Sequence, residues 1–179
     1  MKKLVLTLFV LALAAPLSAQ RINLDFPGLS EKAAEVVDVT LDGSMLRLAS
    51  KFLSNSDPEE RSARDIVQKL EGIYVRSYEF DKEGEYDRAV IDRVHAQLGA
   101  SWKKIVDVRS RHRENSEIYI DTRGDQPVGM LIISAEPREL TIVNIVGPID
   151  VEKLGMLEGN FGVPFVSKSK SKNEDKNHE

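Results

Sequence analysis

Residues 128–157 read VGMLIISAEPRELTIVNIVGPIDVEKLGML. Two apolar runs, Val128 to Ala135 and Glu139 to Val146, flank a charged link, EPRE. In both runs the apolar residues fall on both parities: Met130 and Ile132 with Leu131 and Ile133, then Ile142 and Val143 with Ile145 and Val146. A strand's side chains alternate between faces, so a strand apolar on both parities is central and covered on both sides. The short link makes the pair antiparallel, with Pro137 suited to the first corner of its turn. The spacing predicts a long hairpin in the middle of a sheet. Gly147-Pro148 stops its second strand, and Asp150 can cap a following helix through Val151, Leu154 and Leu157, closed by Gly159 and Gly162.

Two further strands precede the hairpin, Trp102 to Ser110 and Glu117 to Asp121, again joined by short links. Both alternate, which implies one wet face. Before them, Val36 to Leu41 (VVDVTL) and Ile73 to Phe80 (IYVRSYEF) read as strands. Helices are predicted from about Ser44 to Ser54, from Asp57-Pro58 to Leu70 and from Tyr86 to Leu98, by apolar residues at helical spacing. Asp57, Pro58 and Glu60 form a strong start signal for the second of these. QRINLDFPGL, residues 20–29, alternates and then breaks at Pro27-Gly28, so it reads as an edge strand or a lead-in. The order is β-α-α-β-α-β-β-β-β-α. That is an α+β domain over residues 30–166, a mainly antiparallel sheet with helices packed mostly on one face. SKSKSKNEDKNHE, residues 167–179, is polar and of low complexity, and disorder is expected there.

Residues 1–19 are a separate unit. Lys2 and Lys3 precede an apolar run from Leu4 to Ala14, broken only by Thr7, and Ser18-Ala19 supplies small residues. This is the pattern of a secretory signal peptide cut after Ala19, and the run is too short to span a bilayer. Periplasmic or secreted localisation follows, with no integral membrane insertion after cleavage. Cutting removes two lysines and takes the formal net charge from −4 to −6. Together with the expected location, this argues against nucleic-acid binding. There is no cysteine, so disulfides, thiol catalysis and cysteine-held metals are excluded and stability must come from the core.

Few residues point to chemistry. Arg109, Arg111, His112 and Arg113 cluster in the link RSRHREN, with Lys103 and Lys104 on the strand before it; guanidinium groups so placed suit an anion or a partner's acidic group. The plainer reading is a solvated hairpin tip whose charges deter edge pairing. Asn144 is the one polar side chain in the middle of an apolar strand: a pocket residue, or a satisfied core amide. DKEGEYD, residues 81–87, has its glycine in the fourth place and lacks the closing glutamate of a calcium loop. His95, His112 and His178 share no ligand spacing, so no metal is expected, and no cofactor motif occurs. No catalytic residue can be named.

GMLIISAEPRELTIVNIVGPIDVEKLGMLEGNFGVP resembles the C-terminal segment of bacterial exported domain-of-unknown-function family 4252. Its Gly-Pro-Ile-Asp…Leu ending stands here as Gly147, Pro148, Ile149, Asp150 and Leu154, and the resemblance covers about Phe26 to Pro164. It implies export and a β-rich second half; it implies no reaction. The cysteine of lipoprotein-type members is absent. The leading expectation is therefore a non-enzymatic module of the cell envelope that binds an envelope protein. The alternatives are a small-ligand carrier with an apolar pocket near Met130 and Ile142, and a hydrolase in which Asn144, His95 and an acid converge.

Overall fold

The computed structural model describes residues 21–110 and 115–150. The expected leader, the hairpin tip Arg111 to Glu114, the helix expected after Asp150 and the polar tail lie outside the described residues. The elements are α1 (Pro27–Ser30), β1 (Glu35–Asp42), α2 (Gly43–Ala49) with a 3-10 turn at Ser50–Phe52, α3 (Pro58–Val67), β2 (Gly72–Glu79), α4 (Ala89–His95), β3 (Trp102–Val108), β4 (Asn115–Arg123), β5 (Gln126–Ala135) and β6 (Glu139–Val146).

The six strands form one antiparallel sheet in the order β1-β2-β6-β5-β4-β3. The β5–β6 hairpin occupies the two central places, as its double apolar parity requires. The α+β class and antiparallel sheet agree with the sequence reading, and so does the element order from β1 through β6; the short helix α1 is an addition, at the Pro27-Gly28 break of the expected extended lead-in. The helices, expected mostly on one face, divide between the two. On the front face, α1 and α4 cover Tyr78, Tyr119, Leu131, Ile133, Leu140 and Ile142. On the back face, Leu46 of α2 and Ile66 of α3, with Leu70 just beyond it, cover Leu41, Ile73 and Ile145. A sheet apolar on both parities needs a cover on both sides, so its own pattern calls for this division. β4 likewise departs from the expected wet face: Ile118 and Ile120 pack on the back, and Tyr119 is buried on the front. The two edge strands, β1 and β3, are the widely exposed ones.

Local chemistry sets the element ends. Asp42 ends β1 and caps α2, its carboxylate accepting from the amides of Ser44 (2.8 Å) and Met45 (2.9 Å); the serine hydroxyl also donates to it. The Ser44 bond, then the Met45 amide, hold the Asp42 carboxyl below its ordinary pKa. Asp57 accepts from the Glu60 amide (3.3 Å), but the Glu60 carboxylate reaches back to the Ser54 amide (2.6 Å), outside the usual capping box.

Residues 21–26 form no edge strand; they lead into α1. They lie across the front face as a strap, with Ile22, Leu24 and Phe26 buried and the residues between them exposed. Three side chains supply the backbone bonds that a neighbouring strand would otherwise give. The Ile22 amide donates to Asn144 Oδ1 (3.0 Å). Gln97 accepts from the Asn23 amide (2.8 Å) and donates to its carbonyl (3.0 Å). The Tyr78 hydroxyl donates to the Leu24 carbonyl (3.2 Å). Tyr78 is wholly buried, and burial raises its pKa above the ordinary value. We expect Tyr78→Phe to cost about 1–2 kcal/mol, because it strands a buried carbonyl while keeping the ring; denaturant unfolding of the two proteins measures it.

Candidate functional site

The most concentrated polar chemistry of the described residues lies on the front face where α4 meets β3 and β4. Lys104 stands directly opposite Tyr119 in the β3–β4 register, and Glu117 lies two residues from Tyr119 on the same face of β4. His95, the last residue of α4, reaches down to them. Its Nε2 is 2.6 Å from Glu117 Oε2 and 3.1 Å from the Tyr119 hydroxyl. That hydroxyl donates to the same Oε2 at 2.9 Å, and Lys104 Nζ donates to Oε1 at 3.0 Å. An ionised carboxylate only accepts, so the proton between His95 and Glu117 belongs to Nε2.

Burial works to raise the Glu117 pKa. The hydrogen bonds from Lys104, Tyr119 and His95, and then the charge on His95, outweigh it and leave the group below its ordinary value. Tyr119 moves up, chiefly through burial. Burial works to lower Lys104, yet Glu117 and Tyr119 hold it above the ordinary value. A carboxyl group lowered in the folded state contributes stability that is full above its unfolded pKa and is lost as pH falls through the lower, folded one. Glu117→Gln should therefore cost about 1–3 kcal/mol at neutral pH and flatten the loss of stability below pH 4.5. Unfolding curves across the acid range, wild type against variant, give the comparison.

Glu117 also borders a cleft of about 270 Å³ between the β2–α4 loop and β4–β5, lined by Tyr86, Arg88, Ile91, Ser110, Asn115 and Ile133 among others. Tyr86 stacks on Phe80 with centroids 5.3 Å apart and donates its hydroxyl to the Glu136 carbonyl. Ser110 and Asn115, which frame the hairpin tip, are joined by an amide-to-side-chain bond of 2.8 Å. A second cleft, of about 250 Å³, lies between the strap and β1–β2.

The residues singled out by the sequence fall in different places. Arg109 is exposed and doubly bonded to Asp107, through Nε (3.0 Å) and a terminal nitrogen (2.7 Å). Arg111, His112 and Arg113 lie outside the described residues. Asn144 is fully buried; it holds the strap through Ile22 and donates to the Met130 carbonyl (3.3 Å). It lines neither cleft and meets neither His95 nor Glu117. Met130 and Ile142, expected to bound an apolar pocket, are buried in the back and front clusters and also line neither cleft. Glu117 and Tyr119 carried no motif. The signal that could have paired them with Lys104 is the alternation of two hairpin strands, but the register shifts between Lys104 and Val106. Simple counting across that bulge misplaces one side of the pair.

An antiparallel six-stranded sheet strapped by its own N-terminal segment, with a polar cluster at its β3–β4 edge, defines an α+β module. The chain belongs to the DUF4252 family: the model for this domain of unknown function matches residues 30–157, well over half of the sequence and all six strands. No curated protein matches it.

Proposed function

We propose that this protein is an exported module of the cell envelope that binds a protein partner and carries out no chemistry of its own. The observation that carries this reading is the occupancy of Glu117. Both of its oxygens are engaged, one by Lys104 and the other by His95 and Tyr119. Three of the carboxylate's roughly four acceptor sites are taken by groups of the protein itself, and the cluster so formed fastens α4 to the β3–β4 edge. The two clefts are also smaller than the roughly 300–1,000 Å³ of ordinary small-ligand sites. Export rests on the pattern of residues 1–19.

Cell fractionation and mass spectrometry of the N-terminus test the first part. A mature chain beginning at Gln20 in the envelope or extracellular fraction is expected; an intact leader on a cytoplasmic chain would refute export. Crosslinking in intact cells tests the second. One specific protein recovered with the mature chain is expected, and repeated recovery of none counts against the binding role.

A further inference from the structure

The two edges of the sheet are built differently. β3 carries the usual protections of an exposed edge: a register shift between Lys104 and Val106, and two lysines in succession. β1 has neither the shift nor the lysines, and its charges are carboxylates alone. All eight of its residues pair with β2 without a shift, and its sequence, EVVDVTLD, has no proline, glycine, lysine or arginine. Val36 and Val37 stand 39% and 41% exposed. Among the described residues no strand pairs with its outer side.

The hydrogen-bond ladder shows which groups are open. The Phe80 amide donates to the Arg138 carbonyl (2.8 Å), and the Gly147 amide to the Val128 carbonyl (2.8 Å). These fix the even-numbered residues of β2 as those bonded to β6, and alternation turns its odd-numbered residues toward β1. The odd-numbered residues of β1 answer them. Val36, Asp38 and Thr40 therefore direct their amides and carbonyls outward.

We infer that β1 is a docking edge for an extended segment of a partner protein that alternates apolar with basic residues and joins the sheet as a seventh strand. This rests on the binding role proposed above. Main-chain bonds to Val36, Asp38 and Thr40 supply affinity, as in other strand additions. Charge selects the occupant. β1 bears Glu35, Asp38 and Asp42 and no cation; Asp38 is paired with Arg76 yet stays half exposed. A second copy paired antiparallel about Asp38, so that these outward groups face one another, would set the two Asp38 carboxylates directly opposite, which is destabilising. The cleft beside the edge, lined by Asp38, Thr40 and Tyr74, has room for one side chain of the added strand.

The probes are two octapeptides, one alternating lysine with valine and one alternating glutamate with valine, added to the full mature chain. The readout is amide exchange at Val36, Asp38 and Thr40. The lysine peptide should slow all three about tenfold or more, and the glutamate peptide should not. Thr40→Pro removes only an outward donor and should abolish the effect; Asp38→Lys, which leaves the backbone untouched, should weaken it several-fold. Three results overturn the proposal: no protection by the lysine peptide, a dimer in which these amides are already protected, or protection in the free chain that disappears when residues 167–179 are removed. If the partner crosslinked in cells is captured equally by Thr40→Pro, the β1 edge falls and the binding role stands. If neither protein captures a partner, the binding role itself falls.

Discussion

Gly147→Ala should destabilise the fold by about 3–5 kcal/mol. Two independent costs converge on this position. Its φ is +126°, a conformation open to glycine and strained for any residue with a Cβ. The space is also filled: a Cβ there would lie 2.8 Å from the Glu71 amide nitrogen and 2.9 Å from Leu70 Cα. Both are backbone atoms beside β2, so no side chain can swing away. The close approach has a purpose in the ladder. The Glu71 amide donates to the Val146 carbonyl, and the Gly147 amide to the Val128 carbonyl, both at 2.8 Å. Immediately after, the Ile149 amide donates to the Pro127 carbonyl (3.0 Å) and its side chain enters the back-face cluster. The Gly-Pro-Ile-Asp run is thus a sharp exit from the central strand that reinserts an apolar anchor. Urea unfolding of Gly147→Ala measures the cost. Pro148→Ala is the control, since Pro148 is exposed, and it should move stability by no more than about 0.5–1 kcal/mol.

The second large effect is expected at Asn144. Asn144→Leu keeps a side chain of similar reach in a fully buried place but removes both hydrogen bonds. The Ile22 amide loses its partner, and a stranded buried group costs about 1–3 kcal/mol; the Met130 carbonyl keeps the ladder bond of its pair with Ile145. We expect a total of about 1–3 kcal/mol, limited because the strap can lift and rehydrate its own amide. That relief gives a second readout. Amide exchange at Ile22 should approach the rate of global opening or exceed it, while the centre of β5–β6 stays protected in proportion to the remaining stability. A variant that lost stability with Ile22 as protected as before would show that Asn144 does not hold the strap. Comparison with Tyr78→Phe then shows whether the two anchors act together: coupling beyond simple additivity is expected, because both hold one short segment.

The polar cluster and the strap share a design. Each fastens a segment to the sheet through side chains far apart in sequence. His95 joins Glu117 and Tyr119 across 22 and 24 residues, and Asn144 joins Ile22 across 122. Both rest on the rigid front face, where burial of Tyr78, Leu131 and Ile142 fixes the strands. This is why the titratable groups here act on stability, and why the open main-chain groups of β1 are the better place to seek recognition.

The sequence by itself determined the order of the strands and helices from β1 through β6, the central place of the β5–β6 hairpin and the stop at Gly147. These depend on signals a few residues apart: alternation, helical spacing, a cap, a glycine. It also placed Asn144 in an apolar strand and left two readings of it open. Only the tertiary structure decided between a pocket lining and a buried anchor, because the amide's partner is a backbone group on the strap. The same holds for the division of helices between two faces and for the meeting of His95, Lys104, Glu117 and Tyr119. Local periodicity says which face of its own element a residue occupies. Which residues meet depends on strand register, on the bulge in β3 and on how the strap crosses the sheet, and those are settled when the whole core packs.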